Sequence, residues 1–184
     1  MRSSTVLLLL LALTALTGCG SGHGASAWLY EKGPGGEDRL IDAEIRMETQ
    51  RHRRGGPGPD LRIIRCQDGR IRVRYESPTR KEEGEADLPL ADYSRIWNEL
   101  VDRAGWNGNP EAADPQGGYY HYIRYRLGTR VGETSAQNRS NFLGMGTENI
   151  HNRLELANEI TRLVAERVEP GPMTSPKEEG GAEP

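Results

Sequence analysis

The sequence predicts an α+β domain: a single antiparallel sheet of about four to six strands with two helices packed on one face. Three observations carry that expectation. Leu40–Glu48 and Arg70–Glu76 alternate apolar and charged residues with the period of a half-buried strand. Ala91–Ala104 and the segment from Thr147 to Val168 instead repeat apolar residues every three or four positions, the period of an amphipathic helix. Clusters of Gly, Pro and Asp separate these segments.

In chain order, Ala27-Trp28-Leu29-Tyr30 reads as a short first strand before Gly33-Pro34-Gly35-Gly36. From Leu40, residues Ile41, Ala43, Ile45 and Met47 point one way, and Asp42, Glu44, Arg46 and Glu48 the other. Arg51–Asp60 (RHRRGGPGPD) breaks this pattern as a long mobile connection. Leu61–Cys66 resumes it, and Gln67-Asp68-Gly69 supplies a tight hairpin turn. Arg70–Glu76 follows, with Ile71, Val73 and Tyr75 on one face and Arg70, Arg72, Arg74 and Glu76 on the other. Pro78–Asp87 reads as charged loop.

Leu90, Tyr93, Trp97, Leu100, Val101 and Ala104 then mark the first helix, closed by Gly105. Asn107–Gly118 is polar loop. Tyr119–Leu127 is an aromatic strand, turning at Gly128 into a partner that runs to about Ser135. Thr147 caps the last helix. Its stripe is Ile150, Leu154, Ala157, Ile160, Val164 and Val168, widened by Leu156 and Leu163, and Pro170 ends it. Pro172–Pro184 is acidic and rich in Pro and Gly, the composition of a disordered tail.

The chain has 184 residues, enough for one domain with a core, and 24 basic against 27 acidic residues, a net charge of −3. That balance argues against a nucleic-acid partner, which calls for a strongly basic domain. Hydrophobic residues make up only 35%, so the core is modest and the loops long.

At the N-terminus, Met1-Arg2 is a short positive segment and Val6–Leu16 an apolar one. The run is shorter than the roughly 20 residues of a membrane span and has the layout of a secretory signal. It closes on Leu16-Thr17-Gly18-Cys19, which resembles a bacterial lipobox. The resemblance implies that Cys19 takes a diacylglyceryl group through a thioether, that cleavage falls between Gly18 and Cys19, and that the new amine is acylated, palmitate being a usual chain. The plainer reading is an ordinary signal cleaved near Ala12-Leu13-Thr14-Ala15. The Gly- and Ser-rich stretch after Cys19 suits a flexible tether. The expected organisation is a signal peptide at 1–18, a tether at 19–27, a globular domain at 28–168 and a disordered acidic tail at 169–184. Gly20 after the cysteine favours the outer membrane if the organism has two.

The order of elements also resembles the emfourin group of small bacterial inhibitors of thermolysin-like metalloproteases. The matching segments are Leu88-Pro89-Leu90-Ala91-Asp92, the helix through Trp97 and Leu100, Tyr122-Ile123-Arg124-Tyr125-Arg126-Leu127-Gly128, and Leu154–Val164, within residues 40–168. All are core and turn positions, so the resemblance implies a fold and, through it, inhibition of such a protease. The inserts at Arg51–Asp60 and Asn107–Gly118 depart from the group's compact pattern.

No motif carries an enzymatic reaction, and no cofactor or metal is expected. With Cys19 lipidated, Cys66 has no disulfide partner and reads as a buried small hydrophobe, a reactive thiol being the alternative. His23 falls in the tether and His52 in the loop. His121 shares an apolar face with Ile123, Tyr125 and Leu127, so it reads as a core histidine, and His151 as a helix-surface or capping residue. The suggestive surface is the outer sheet face, where Arg70, Arg72, Arg74, Tyr120, Tyr122, Arg124 and Arg126 form a candidate interaction patch if their two strands coincide. It would suit a protein or an anionic envelope partner. The plainer reading is a solvated face whose arginines pair with Asp42, Glu44 and Glu48.

Overall fold

A computed structural model describes residues 26–51, 58–106, 119–137 and 148–174. The expected signal peptide, most of the tether and the end of the acidic tail lie outside them. Ala27–Leu29 forms a single 3-10 turn and not a strand. It leads into a small hairpin of β1 (Tyr30–Lys32) and β2 (Asp38–Leu40) that stands apart from the main sheet.

The main sheet has seven strands. A meander of β3 (Ala43–Arg51), β4 (Asp60–Gln67), β5 (Arg70–Ser77) and β6 (Glu82–Asp87) is followed by helix α1 (Leu90–Ala104). The hairpin of β7 (Tyr119–Leu127) and β8 (Arg130–Gln137), helix α2 (Glu148–Arg167) and the two-residue β9 (Gly171–Pro172) complete it. The spatial order is β8-β7-β3-β4-β5-β6-β9, antiparallel throughout. Thus β7 returns across the domain to lie beside β3. Asp68 (φ 51) and Gly69 (φ 74) both adopt left-handed backbone, the geometry of the primed turn that Asp-Gly favours between strands.

Register sets the core. Ile45 faces Ile64 on one side and Tyr125 on the other, and Ile64 faces Val73, so one row of apolar side chains crosses four strands. Both helices cover this face, through Tyr93, Ile96, Trp97 and Leu100 on α1 and Leu156, Ala157, Ile160, Leu163 and Val164 on α2. Leu156 and Leu163, the margin of the expected stripe, are among the most buried residues of α2, while Leu154 is only partly covered. The chain's three tryptophans gather here: Trp97 meets Trp28 edge-on and stacks on Trp106, and Tyr125 packs against both Trp97 and Trp106. Ion pairs Arg95–Glu159, Arg103–Glu155 and Arg167–Asp92 join the helices along their exposed side.

The sheet corrects the expected single sheet of four to six strands. Glu82–Asp87, read as loop, is strand β6. It has no apolar alternation because it is a near-edge strand, paired through its backbone with β5 and through its carboxylates with the arginines there. At its inward-facing Gly84 the chain after α2 crosses so closely that a Cβ would lie 2.6 Å from Val168 Cγ1 and 2.9 Å from the Glu169 carbonyl oxygen. The tail boundary also moves. Gly171 and Pro172 pair with Glu83 and Glu82, the Met173 N–H donates to the Lys81 carbonyl at 2.8 Å, and Thr174 donates to Glu83 through its N–H (2.9 Å) and hydroxyl (2.7 Å). Residues as far as Thr174 are therefore held against β6.

Candidate functional site: the arginine-lined outer sheet face

Side chains alternate across a strand, so the positions between the core residues point away from the helices. On β5 these are Arg70, Arg72 and Arg74, and on β7 Tyr120, Tyr122, Arg124 and Arg126. All seven expected patch residues thus share the outer face. They do not form one patch, because β3 and β4 lie between β5 and β7. Three strand spacings put the two groups about 14 Å apart.

The intervening strands contribute their own charges. Arg65 on β4 stands directly across from Arg72 on one side and Glu44 on the other. Together with Arg70 and Arg74 it makes a four-arginine groove, a cavity of about 560 Å3 that also includes Ile63, Gln67, Asp68 and Glu85. A second groove, of about 710 Å3, lies over β3, β7 and β8 and combines Arg46, Arg124 and Arg126 with Glu44, Glu48 and Glu133. Trp106 and Tyr125 reach its wall beside Gly132, where any Cβ would lie 2.3 Å from the Tyr125 ring.

Arg65 and Arg46 escape a sequence reading for different reasons. Arg65 sits in Leu61–Cys66, where Ile63 and Ile64 are adjacent and no strict alternation assigns the faces, so only the register shows that Ile64 points in while Arg65 points out. Arg46 looks like an ordinary solvated residue until β7 is placed beside it.

Most of these arginines are paired, with partners different in part from those expected. Arg65 holds Glu44 at 2.5 Å and Arg46 holds Glu48 at 3.1 Å. Arg72 reaches Glu85 at 3.2 Å and Asp87 at 3.7 Å, and Arg74 reaches Glu76 at 2.6 Å and Glu83 at 3.8 Å. Asp42 instead accepts the Asp68 backbone N–H at 3.2 Å. On β7, the Tyr122 hydroxyl donates to Glu133 and accepts from Arg124 Nε at 3.1 Å, with the guanidinium over its own ring at 4.9 Å. Glu133 raises the Tyr122 hydroxyl above the usual tyrosine range, and the Tyr122 oxygen in turn holds Arg124 more firmly protonated. Exposed pairs of this kind each contribute about 0–1 kcal/mol. Arg70 and Arg126 make no ion pair among the described residues.

The helix-covered face carries a polar chain of Arg62, Thr49 and His121. Arg62 Nη1 donates to Thr49 Oγ1 at 3.1 Å, and the same hydroxyl lies 3.1 Å from His121 Nδ1. With the imidazole neutral and its proton on Nε2, Nδ1 accepts the Thr49 hydroxyl proton. Burial, followed by the nearby Arg62 charge, pushes His121 down to about 4. Arg62 lies over the Tyr75 ring at 5.4 Å, and burial lowers its pKa as well. His121 is therefore the core histidine that its strand pattern predicts. His23 and His52 lie outside the described residues, as does the side chain of His151.

Cys66 is a free, buried thiol whose pKa is raised, chiefly by burial. The Tyr93 hydroxyl lies close enough to Cys66 and Trp97 to feel both, and burial drives it out of its ordinary range. Among the described residues neither that hydroxyl nor Trp97 Nε1 has a hydrogen-bond partner within normal geometry. Among the described residues no group of three His, Cys, Asp or Glu side chains is placed to hold a metal, and no helix is long and apolar enough to cross a membrane.

No protein-family model matches the sequence, and no curated protein matches it significantly.

Proposed function

We propose that this is a lipid-anchored protein of a bacterial cell envelope whose outer sheet face serves as a binding surface. The observation that supports binding most is the four-arginine groove. Arg65 and Arg72 are direct cross-strand neighbours, an arrangement that like charges disfavour. Signs alternate where Glu44, Glu85 and Asp87 meet arginines, whereas Arg65–Arg72, like Arg46–Arg124 across β3 and β7, sets like charges side by side. The anchoring half of the proposal rests on Leu16-Thr17-Gly18-Cys19 and the Gly/Ser stretch after it.

The experiment is photo-crosslinking in cells from a probe at position 70, with mass spectrometry of both the adduct and the processed N-terminus. A single stoichiometric protein adduct together with a diacylated Cys19 is the expected result. Scattered adducts of abundant envelope components would leave a purely structural lipoprotein. An unmodified Cys19 would remove the anchor.

A second reading, inhibition of a thermolysin-like metalloprotease, is supported by the element order. Strands, α1, the β7–β8 pair turning at Gly128 and the closing α2 follow the layout on which that resemblance was drawn. It is tested by whether the protein at micromolar concentration slows such an enzyme.

A further inference from the structure

The position of the tether relative to the arginines restricts what those arginines can meet. Ser26, the first described residue, is fastened to α1: its N–H donates to Ser94 Oγ at 3.0 Å and its hydroxyl to Asn98 Oδ1 at 2.8 Å. Helix α1 lies over the middle of the sheet, with Trp97 against Tyr125 of β7 and Tyr93 beside Cys66 of β4. The chain therefore enters the domain on the helix-covered side, and the four arginines project from the other.

Seven residue steps from Cys19 to Ser26 span at most about 25 Å when fully extended. To press the arginine face onto the bilayer, the tether would have to run around the domain. Half the width of a seven-stranded sheet is about 14 Å, and a sheet with its side chains is about 10 Å thick. A helix adds about 10 Å more. That path, about 34 Å, is longer than the tether.

We infer that the Arg65–Arg70–Arg72–Arg74 groove faces the aqueous compartment and docks an extended acidic segment of a partner protein, not the headgroups of the anchoring membrane. The inference rests on the lipid-anchor reading for its orientation and on the groove for its chemistry. Alternate residues along a strand repeat every 6.6–6.8 Å or so, and carboxylates at alternate positions of an extended peptide repeat with the same period. Such a peptide stays in step with Arg70, Arg72 and Arg74 along its length. The fold already contains one instance of this match, since Glu83, Glu85 and Asp87 of β6 run beside the same ladder and reach Arg74 and Arg72. Arg70, with no ion pair among the described residues, and Arg65, shared only with Glu44, remain to engage carboxylates from outside.

The test uses the full-length lipidated protein in zwitterionic nanodiscs. The probe is a fluorescent peptide of alternating Glu and Thr, about eight residues, the length of β5. Saturable binding is expected by anisotropy, weakened roughly tenfold by R70A/R72A. R124A/R126A should leave it unchanged. A peptide of the same composition with its glutamates in one block should bind more weakly. The single variant R70Q removes no ion pair among the described residues and should weaken binding with unchanged thermal melting, which separates loss of docking from loss of structure. Equal binding of the blocked peptide would overturn the strand-period argument. No peptide binding, or recruitment of phosphatidylglycerol vesicles through Arg70 and Arg72, would overturn the inference as a whole. Mass spectrometry of Cys19 in the same sample separates the causes: an unmodified cysteine sinks the lipid-anchor reading and the orientation drawn from it, while failure of the peptide with the lipid present sinks the docking inference and leaves the lipid-anchor reading standing.

Discussion

Acidifying the protein from neutral pH towards pH 4 should destabilise it through His121. His121 is 9% exposed and is held neutral by burial and by Arg62, and its neutral Nδ1 accepts the Thr49 hydroxyl when the ring proton is on Nε2. In the folded protein it takes up a proton only near pH 4, whereas the unfolded chain takes one up near 6.5. Between those values the unfolded state binds more protons, so acid pulls the equilibrium towards it. The stabilisation is complete above pH 6.5 and is lost as pH falls through that window. At 1.36 kcal/mol per pH unit, the loss is about 3 kcal/mol, a large share of a typical domain's stability. Urea denaturation across the window measures it, with the His121→Gln variant as the control. Glutamine keeps an acceptor for the Thr49 hydroxyl but does not titrate, so its stability should vary far less with pH between 4 and 6.5. Carboxylates such as Glu159, held below the usual range by Arg162 and Arg95, add acid sensitivity at lower pH and are common to both proteins. If the variant and the native protein lose stability in parallel, the neutral buried imidazole is not the cause and the assigned proton order is wrong.

Other expectations are simpler to check. Gly84→Ala should cost about 1–3 kcal/mol by overpacking and should loosen residues 168–174, seen as faster amide exchange there. Leu100→Ala empties a fully buried site against the sheet and should cost about 2–5 kcal/mol in thermal or urea unfolding. Cys66 should resist a thiol reagent in the native protein and react once denaturant is added, since it is buried and its thiol pKa is raised. Arg70→Gln should change stability by less than about 0.5 kcal/mol, because Arg70 makes no ion pair among the described residues.

Those expectations draw on parts of the molecule that were unequally legible in the sequence. Helices α1 and α2 and strands β5 and β7 follow directly from periodicity, because each places an apolar stripe against one core, whereas the facing of β4 needs the register. Strand β6 does not follow from periodicity, since its inward positions are Glu82, Gly84 and Ala86 and its pairing depends on neighbours far away in the chain. Strand β9 is too short for any pattern, and Pro172 and the acidic residues beyond it suggest disorder until β6 supplies a partner. The candidate patch shows the same limit. Alternation tells which residues share a face, and it placed all seven on the outer one. It carries no information about strand order, so the separation of β5 from β7, and the part played by Arg65 between them, could come only from the sheet.

The β3–β7 pairing has a consequence for how the chain reaches this state. β4 and β5, and likewise β7 and β8, are joined by tight turns and can zip locally within microseconds. The central seam cannot: Ala43 must find Leu127, and Arg51 must find Tyr119, after α1 and everything between have been made. Folding speed falls as contacts become more distant in sequence, so this seam is the natural slow step. During vectorial synthesis the meander β3–β6 is finished first, with the edge of β3 unpaired and its row of N–H and C=O groups open. A strand that ends in the middle of the finished sheet is therefore, for a time, the border of half a sheet. That border is where a chaperone would hold the immature chain, and where two immature chains would join each other.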